Sequence, residues 1–194
     1  MWGTGFLIKF NKNSKSFYCL MTTSHIISND MIVCEEKIDM YYDKEKKNKV
    51  IILNKNERYL YTEHKLDFSI IEILVKDNID EDYFLLPNLE YNDLKEKRIY
   101  IPQYPNGELA FSEGKIREKQ KHVIIYDASS SPGSSGSPIF LDNTTRVIGI
   151  HFGGLPHSNE NFGACIYPIN NLKIKMIHIY VKILGHFLLN YTLD

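Results

Sequence analysis

Short runs of apolar and β-branched residues alternate with polar turn residues along most of this chain, with a period close to two rather than 3.6. The first half reads as strands over residues 3–10 and 16–23, with a polar hairpin turn at 11–15. Further short runs follow at 31–34, 38–42, 49–53, 59–61 and 65–74. Residues 76–96 are polar and loop-rich apart from an apolar patch at 83–86, which marks a connection between two halves. The second half resumes with strands over 98–102, 108–118 and 121–127, the first two joined by the turn Tyr104-Pro105-Asn106-Gly107. Strands are expected again at 137–141, 146–152 and 163–169, with a turn at 142–144 and a loop over 153–162. About a dozen short strands punctuated by turns predict an all-β barrel or sandwich. Asn170 or Asn171 is placed to cap a closing helix over 172–184, although Leu172-Lys173-Ile174-Lys175 also alternates like a strand.

One stretch breaks the pattern, Ser129-Ser130-Ser131-Pro132-Gly133-Ser134-Ser135-Gly136-Ser137-Pro138. Serine and glycine in such density usually mean a flexible linker. Here two strand-like segments, 122–126 and 138–141, bracket it tightly, which fits a sharp turn that exposes one hydroxyl. Such a turn presents Ser135 and can aim the N–H groups of Gly133 and Ser135 at a single point, as an oxyanion hole requires. A serine hydroxyl is a weak nucleophile without a base and a carboxylate behind it. Of seven histidines, His25 alone follows a strand and opens an apolar Ile26-Ile27 step, whereas a lone histidine elsewhere is ordinarily structural or solvated. Asp67 sits in Leu66-Asp67-Phe68-Ser69-Ile70-Ile71, which reads as an aspartate inside an apolar strand. Burial there demands a partner, and an imidazole N–H is a suitable one.

Composition narrows the alternatives. A length of 194 residues allows one domain with a sizeable core or two small barrels sharing an interface. The 43% hydrophobic and 24% charged content is that of an ordinary globular protein, and a net charge of −1 gives no electrostatic case for nucleic acid. The mixed charges over 35–49 and 54–58 read as solvated loops or strand edges. Three cysteines, Cys19, Cys34 and Cys165, have neither zinc nor redox-pair spacing; a reducing compartment fits them, and so does one disulfide with a free thiol. Neither a phosphate-binding glycine loop nor a metal motif is present, so no metal and no cofactor is expected. The first residues lack a signal-peptide pattern, and the apolar run near the C-terminus is interrupted by His178, Lys182 and His186. The expectation is an intracellular, cytoplasmic monomer without a membrane span.

The order His25, Asp67, Ser135, each in a strand context, is that of the two-barrel serine peptidases. The chain resembles the trypsin-like, chymotrypsin-fold serine peptidases, in particular their glutamyl endopeptidase branch. The resemblance rests on Gly3-Thr4-Gly5-Phe6-Leu7-Ile8, Thr22-Thr23-Ser24-His25-Ile26-Ile27, Leu66-Asp67-Phe68-Ser69-Ile70-Ile71, Tyr104-Pro105-Asn106-Gly107 with Gly114-Lys115-Ile116, Gly133-Ser134-Ser135-Gly136-Ser137-Pro138 and Val147-Ile148-Gly149-Ile150-His151-Phe152-Gly153-Gly154.

That resemblance implies two packed, six-stranded antiparallel β-barrels with the site in the cleft between them and a C-terminal helix. Residues 1–80 would make the first barrel, 81–97 the connection, 98–169 the second barrel and 170–190 the helix, all in one peptidase domain. It further implies Ser135 as nucleophile, His25 as base, Asp67 as its orienter, and Gly133 with Ser135 as oxyanion donors. A protein or peptide substrate would dock as a strand along 150–154, Gly153 included. The position six residues before the nucleophile, where trypsin-like enzymes carry an acid, is the uncharged Ser129. His151 matches the histidine that contacts the substrate carboxylate in glutamyl endopeptidases, and Ser130 falls where they have a second hydroxyl donor, so cleavage after Glu is implied. Two departures stand out. The family has a further strand before the Gly-x-Gly-Phe segment, so an incomplete first barrel is expected here. Ser134 stands where Asp or Asn is common, which argues against zymogen-type activation. The competing functions are a peptidase fold that has lost catalysis and serves as a peptide-binding module, and a scaffold working through the charged 35–58 region.

Overall fold

The computed structural model describes residues 3–12, 15–42, 47–88, 93–155 and 158–167. The expected helix over 170–190 lies outside the described residues, as does His157.

In the first half, β1 (Phe6–Lys12) and β2 (Lys15–Thr22) form the expected hairpin, with Phe6 opposite Met21. The chain then turns into a short helix, α1 (Asn29–Val33), where periodicity predicts a strand at 31–34. Local capping explains the difference: the Ser28 hydroxyl accepts a hydrogen bond from the Met31 N–H, and Asp30 sits in the first turn. A two-stranded ribbon follows, β3 (Lys37–Tyr42) and β4 (Lys47–Ile52), one face of which covers the core around Leu7, Leu20 and Ile71. Then come β5 (Leu60–Glu63) and β6 (Phe68–Glu72). Hydrogen bonding orders the main sheet β1-β2-β6-β5, with the ribbon separate. Among the described residues this half has six strands in two sheets and no closed barrel, where the resemblance implies six strands in a barrel left incomplete.

The connection contributes a strand of its own. β7 (Leu86–Pro87) pairs in parallel with Arg146–Val147, and Leu85 exchanges backbone hydrogen bonds with Leu7 and Lys9 of β1. It therefore laces the two halves together. The second half comprises β8 (Arg98–Gln103), β9 (Ala110–Gln120), β10 (Val123–Tyr126), β11 (Pro138–Leu141), β12 (Arg146–Gly154) and β13 (Asn161–Cys165). Their order is β11-β8-β9-β10-β13-β12, and β12 pairs back onto β11, closing an antiparallel six-stranded barrel. β12 and β13 reach further into the expected 153–162 loop than the polar residues there suggest.

The barrel encloses Ile99, Ile101, Ile116, Ile124, Tyr126 and Ile148. A second core lies across the seam and draws Phe6, Ile8 and Met21 from the first half against Phe140, Val147 and Ile150 from the second. No helix among the described residues is long and apolar enough to cross a membrane, and no cluster of three His, Cys, Asp or Glu among them is arranged to hold a metal ion. The three cysteines carry no disulfide.

Beyond β6 the chain is pinned by an ion pair. Arg58 and Asp77 are only 3% and 7% exposed, with Arg58 Nη1 2.9 Å from Asp77 Oδ2 and donating at 2.7 Å to the Glu72 carbonyl. Asp77 also accepts from the Leu74 N–H at 2.7 Å. Asp77→Ala would leave the guanidinium buried without a counter-charge, and we expect a loss of about 3–5 kcal/mol in urea unfolding. Adding Arg58→Met should recover much of that loss.

Candidate active site

The end of the β2–β6 ladder creates the first part of the site. Thr22 pairs with Ser69, so the segments just past Thr22 and just before Phe68 leave the sheet side by side. The first of these is a tight turn closed by the Ile26 and Ile27 N–H groups on the Thr23 carbonyl, with His25 at its tip. The buried Ser69 hydroxyl ties that turn to β6 by donating to the Ile27 carbonyl at 2.7 Å.

His25 Nδ1 lies 2.6 Å from Asp67 Oδ2. The other carboxylate oxygen accepts from the His25 backbone N–H at 3.1 Å and from the Ser24 hydroxyl at 2.6 Å. Asp67 is not inside a strand, as its apolar neighbours suggest. It occupies the turn before β6 in the left-handed region, φ 49°, with its side chain 23% exposed. Burial alone would push its carboxyl up, but the hydrogen bonds from His25 and Ser24 outweigh that and hold it below the usual range. The same bond from Asp67 raises His25, whose ring remains 46% exposed.

The serine turn leads into β11. Gly133 and Gly136 take φ of +97° and +92°, which a side chain disfavours. A Cβ would also stand 2.9 Å from the Tyr104 carbonyl at Gly133 and 1.9 Å from the Thr4 carbonyl at Gly136. Alternate N–H groups are used inside the fold. Ser134 donates to the Ser131 carbonyl and Gly136 to the His151 carbonyl. Those of Gly133 and Ser135 donate to no acceptor among the described residues. The peptide carrying the Gly133 N–H is held in orientation because its Pro132 carbonyl accepts from Asn106 N–H at 3.2 Å.

Thr4 fastens this turn to the first half. Its N–H donates to the Ser135 carbonyl at 3.0 Å, and its hydroxyl donates to the Gly133 carbonyl at 2.7 Å while accepting from Tyr104 N–H. Its own carbonyl accepts from the Thr22 hydroxyl at 2.8 Å, beside the His25 turn. No direct hydrogen bond joins Ser135 to His25: His25 Nε2 lies 3.4 Å from the Thr23 hydroxyl, and the Ser135 hydroxyl has no partner among the described residues.

Beyond the serine turn, β12 continues its ladder. His151 N–H donates to the Ser137 carbonyl, so within the expected docking edge only 152–154 lies past the described pairings on that side. His151 is 2% exposed, with Nδ1 2.6 Å from the hydroxyl of fully buried Tyr126. Desolvation lowers it to about 4 against the pull of a hydrogen bond toward the Phe162 carbonyl, and the charge of the neighbouring His25 adds to the lowering. Ser130 does not meet His151 directly; it donates to Asn161 Oδ1 at 2.7 Å, and Asn161 Nδ2 donates to the Ala128 carbonyl at 2.8 Å. Gly153 stands opposite Phe162 in the β12–β13 ladder.

Thr4, Ser24, Tyr126 and Asn161 escape a reading by sequence, since each acts on a neighbour brought close only by the fold. Thr4 alone left a trace, as a threonine between two glycines at a strand start. A hollow of about 520 Å³ opens between the β3–β4 ribbon and residues 78–83, lined by Tyr42, Lys49, Asp80 and Tyr83 among others, and none of the residues above borders it.

These features can be set beside known proteins. A family model described as trypsin-like peptidase domain matches residues 3–150. A glutamyl endopeptidase of Staphylococcus aureus strain MW2 is 47% identical over 53 residues, 27% of this chain and 15% of that protein. The counterpart in strain MRSA252 is 37% identical over 62 residues, 32% and 16% of the respective chains. The matched part is thus about a sixth of the length of these relatives. Among solved structures, a serine endoprotease from Yersinia pestis superposes with a TM-score of 0.64 at 14% identity, covering 89% of this chain and 61% of that one. A Glu endopeptidase structure gives 0.59 at 15% identity, covering 88% and 90%. The Rv3671c protease of M. tuberculosis, in an inactive form, gives 0.60 at 18%, covering 84% and 77%.

Two measurements test the geometry. NMR titration should show His25 above its ordinary 6.5 and His151 far below it, near 4, and Asp67→Asn should bring His25 down while leaving His151 in place. By linkage, the stabilisation from charged His25 is complete below pH 6.5 and is lost as pH rises through its higher folded value. That from Asp67 is complete above 3.8 and is lost as pH falls through its lower folded value. Separately, Thr4→Val keeps the shape but leaves the Gly133 carbonyl and Tyr104 N–H unpaired, which should cost about 1–3 kcal/mol in thermal unfolding. With 148 of its residues, 3–150, under the family match and its barrel built on the same plan as these peptidases, the chain belongs to the trypsin-like peptidase family.

Proposed function

We propose that this chain is a serine endopeptidase in which Ser135 attacks the scissile carbonyl, His25 acts as base and then acid, and Asp67 orients the imidazole. The observation that carries this reading is the 2.6 Å bond from His25 Nδ1 to Asp67, at the same sheet end where Thr4 holds the carbonyls on either side of the serine turn. Nδ1 is occupied by the carboxylate, which leaves Nε2 for the Ser135 proton. Attack forms a tetrahedral intermediate whose oxyanion is met by the N–H groups of Gly133 and Ser135. Collapse expels the amine, which takes the proton from His25 Nε2 and leaves Ser135 acylated. Water, deprotonated by the same nitrogen, then releases the acid. The lack of a direct Ser135–His25 hydrogen bond is compatible with this role, since catalytic hydrogen bonds often close only on binding.

The substrate class is a protein or peptide, docked as a strand along 152–154, with Glu preferred before the scissile bond. This reading is supported by the resemblance, which puts His151 and Ser130 where glutamyl endopeptidases contact the substrate carboxylate, and by the uncharged partners of both residues, Tyr126 and Asn161. The partial match to glutamyl endopeptidases points the same way.

A second reading is a peptide-binding module without catalysis. It is favoured by His25 Nε2 lying on Thr23 and by the open sheet of the first half. Labelling with a serine-directed fluorophosphonate separates the two: the proposal requires labelling that Ser135→Ala abolishes. On peptide substrates Ser135→Ala should lower kcat by about 10⁶ and Asp67→Asn by about 10⁴, as in other triads. Near-normal turnover in Ser135→Ala would overturn the assignment, and a preference for Arg, Lys or large apolar residues that His151→Ala leaves unchanged would overturn the Glu pocket.

A further inference from the structure

We infer that Tyr126 is a specificity-determining positioning residue, which locks His151 in the tautomer that points an N–H donor at the carboxylate of the substrate's Glu side chain. The inference rests on the Glu reading above and adds how an uncharged imidazole can serve it.

The pair is fully internal. Tyr126 is 0% exposed and His151 2%, and Tyr126 Oη lies 2.6 Å from His151 Nδ1. Strand order makes the contact possible. β13 runs between β10 and β12, and Gly163 stands opposite both Ile124 and His151. Residues in register share a face, so Tyr126, two residues along from Ile124, shares the face of His151, and no side chain at Gly163 blocks the reach across β13. The space at Gly163 is already taken: a Cβ there would fall 2.3 Å from Ile139 Cδ1.

The direction of the bond follows from supply. The 2.6 Å contact with Nδ1 is much the shorter of the two that the Tyr126 hydroxyl makes. A buried hydroxyl must place its proton, and the other acceptor within reach, the Phe162 carbonyl, is 3.4 Å away. Tyr126 stays protonated, since burial raises its hydroxyl well above the ordinary range. His151 is desolvated and neutral at pH 7, so it carries a single N–H. With Nδ1 accepting from Tyr126, that hydrogen sits on Nε2, at the far side of the ring.

Two consequences follow. A lone pair on Nε2 would repel a carboxylate, whereas a fixed N–H bonds it without first having to take up a proton. The pocket therefore recognises an ionised side chain with a neutral donor, and rejects an uncharged isostere less by charge than by the strength of one charge-assisted hydrogen bond.

The test combines spectroscopy with kinetics on the full chain. Ring ¹⁵N–¹H correlation spectra at pH 7, with His151 identified by its loss in His151→Gln, should show the Nε2–H tautomer. In Tyr126→Phe the ring should become a mixture of tautomers. Selectivity in kcat/KM for a Glu substrate over its Gln counterpart should fall about tenfold, the effect of one hydrogen bond. An Nδ1–H tautomer in the unmodified chain overturns the inference. So does a Tyr126→Phe protein in which tautomer and selectivity are both unchanged. If Tyr126→Phe does not fold, the tautomer of the unmodified chain decides alone. An unmodified chain that shows Nε2–H but no preference for Glu would leave the Tyr126–His151 arrangement standing and remove the Glu reading instead.

Discussion

The hydrogen bonds of Thr4 are the constraint on which the site depends. The serine turn is an unfavourable loop by itself, with two glycines at positive φ and several backbone groups that must find partners. Thr4 takes the Gly133 and Ser135 carbonyls, one on each side of the Ser134–Ser135 peptide, and so pins the turn on both flanks. Because Thr4 immediately precedes β1, the anchor belongs to the half that holds His25 and Asp67. One buried residue thereby ties the serine turn of one half to the strand end beside the His25 turn of the other.

The two halves contribute unequally. The second half is a closed barrel, so its strands have no free ladder edge along β11, β8, β9, β10, β13 and β12, and His151 on β12 and Asn161 on β13 inherit that rigidity. The first half holds its sheet open among the described residues and depends on the seam core, where Phe6, Ile8 and Met21 meet Phe140, Val147 and Ile150. Dense packing at that seam limits how far His25 can drift from the serine turn. β7 reinforces it by pairing with β12, while its neighbour Leu85 bonds β1.

Most strands were legible because their residues alternate, and because Gly, Pro and Asn mark the turns between them. Legibility failed where a local polar bond overrode the pattern. Met31–Cys34 looks like a strand, yet the Ser28 cap starts a helix there. Asp67 looks buried because its neighbours are apolar, yet a left-handed turn lifts it to the sheet end, where it is partly exposed and bonded to His25. The pairing of His25 with Asp67 could be anticipated from chemistry, since a carboxylate among apolar residues needs a partner. The roles of Ser24, Tyr126 and Asn161 could not, because each depends on register across strands far apart in sequence.

Register also explains why His25 and His151 differ in charge. His25 sits on a turn with half its ring in solvent and a carboxylate on Nδ1, and both features favour its charged form. His151 sits in a ladder, under a tyrosine and away from water, and is driven to the neutral form. The charge of one acts on the other, so each protonation of His25 makes His151 harder to charge. A protein that kept both rings in like surroundings would have two groups competing for the same proton near neutrality. Separating them by burial leaves one ring ready to take a proton and the other held neutral, and that division is written into the fold by where β2 ends and where β12 runs in its ladder.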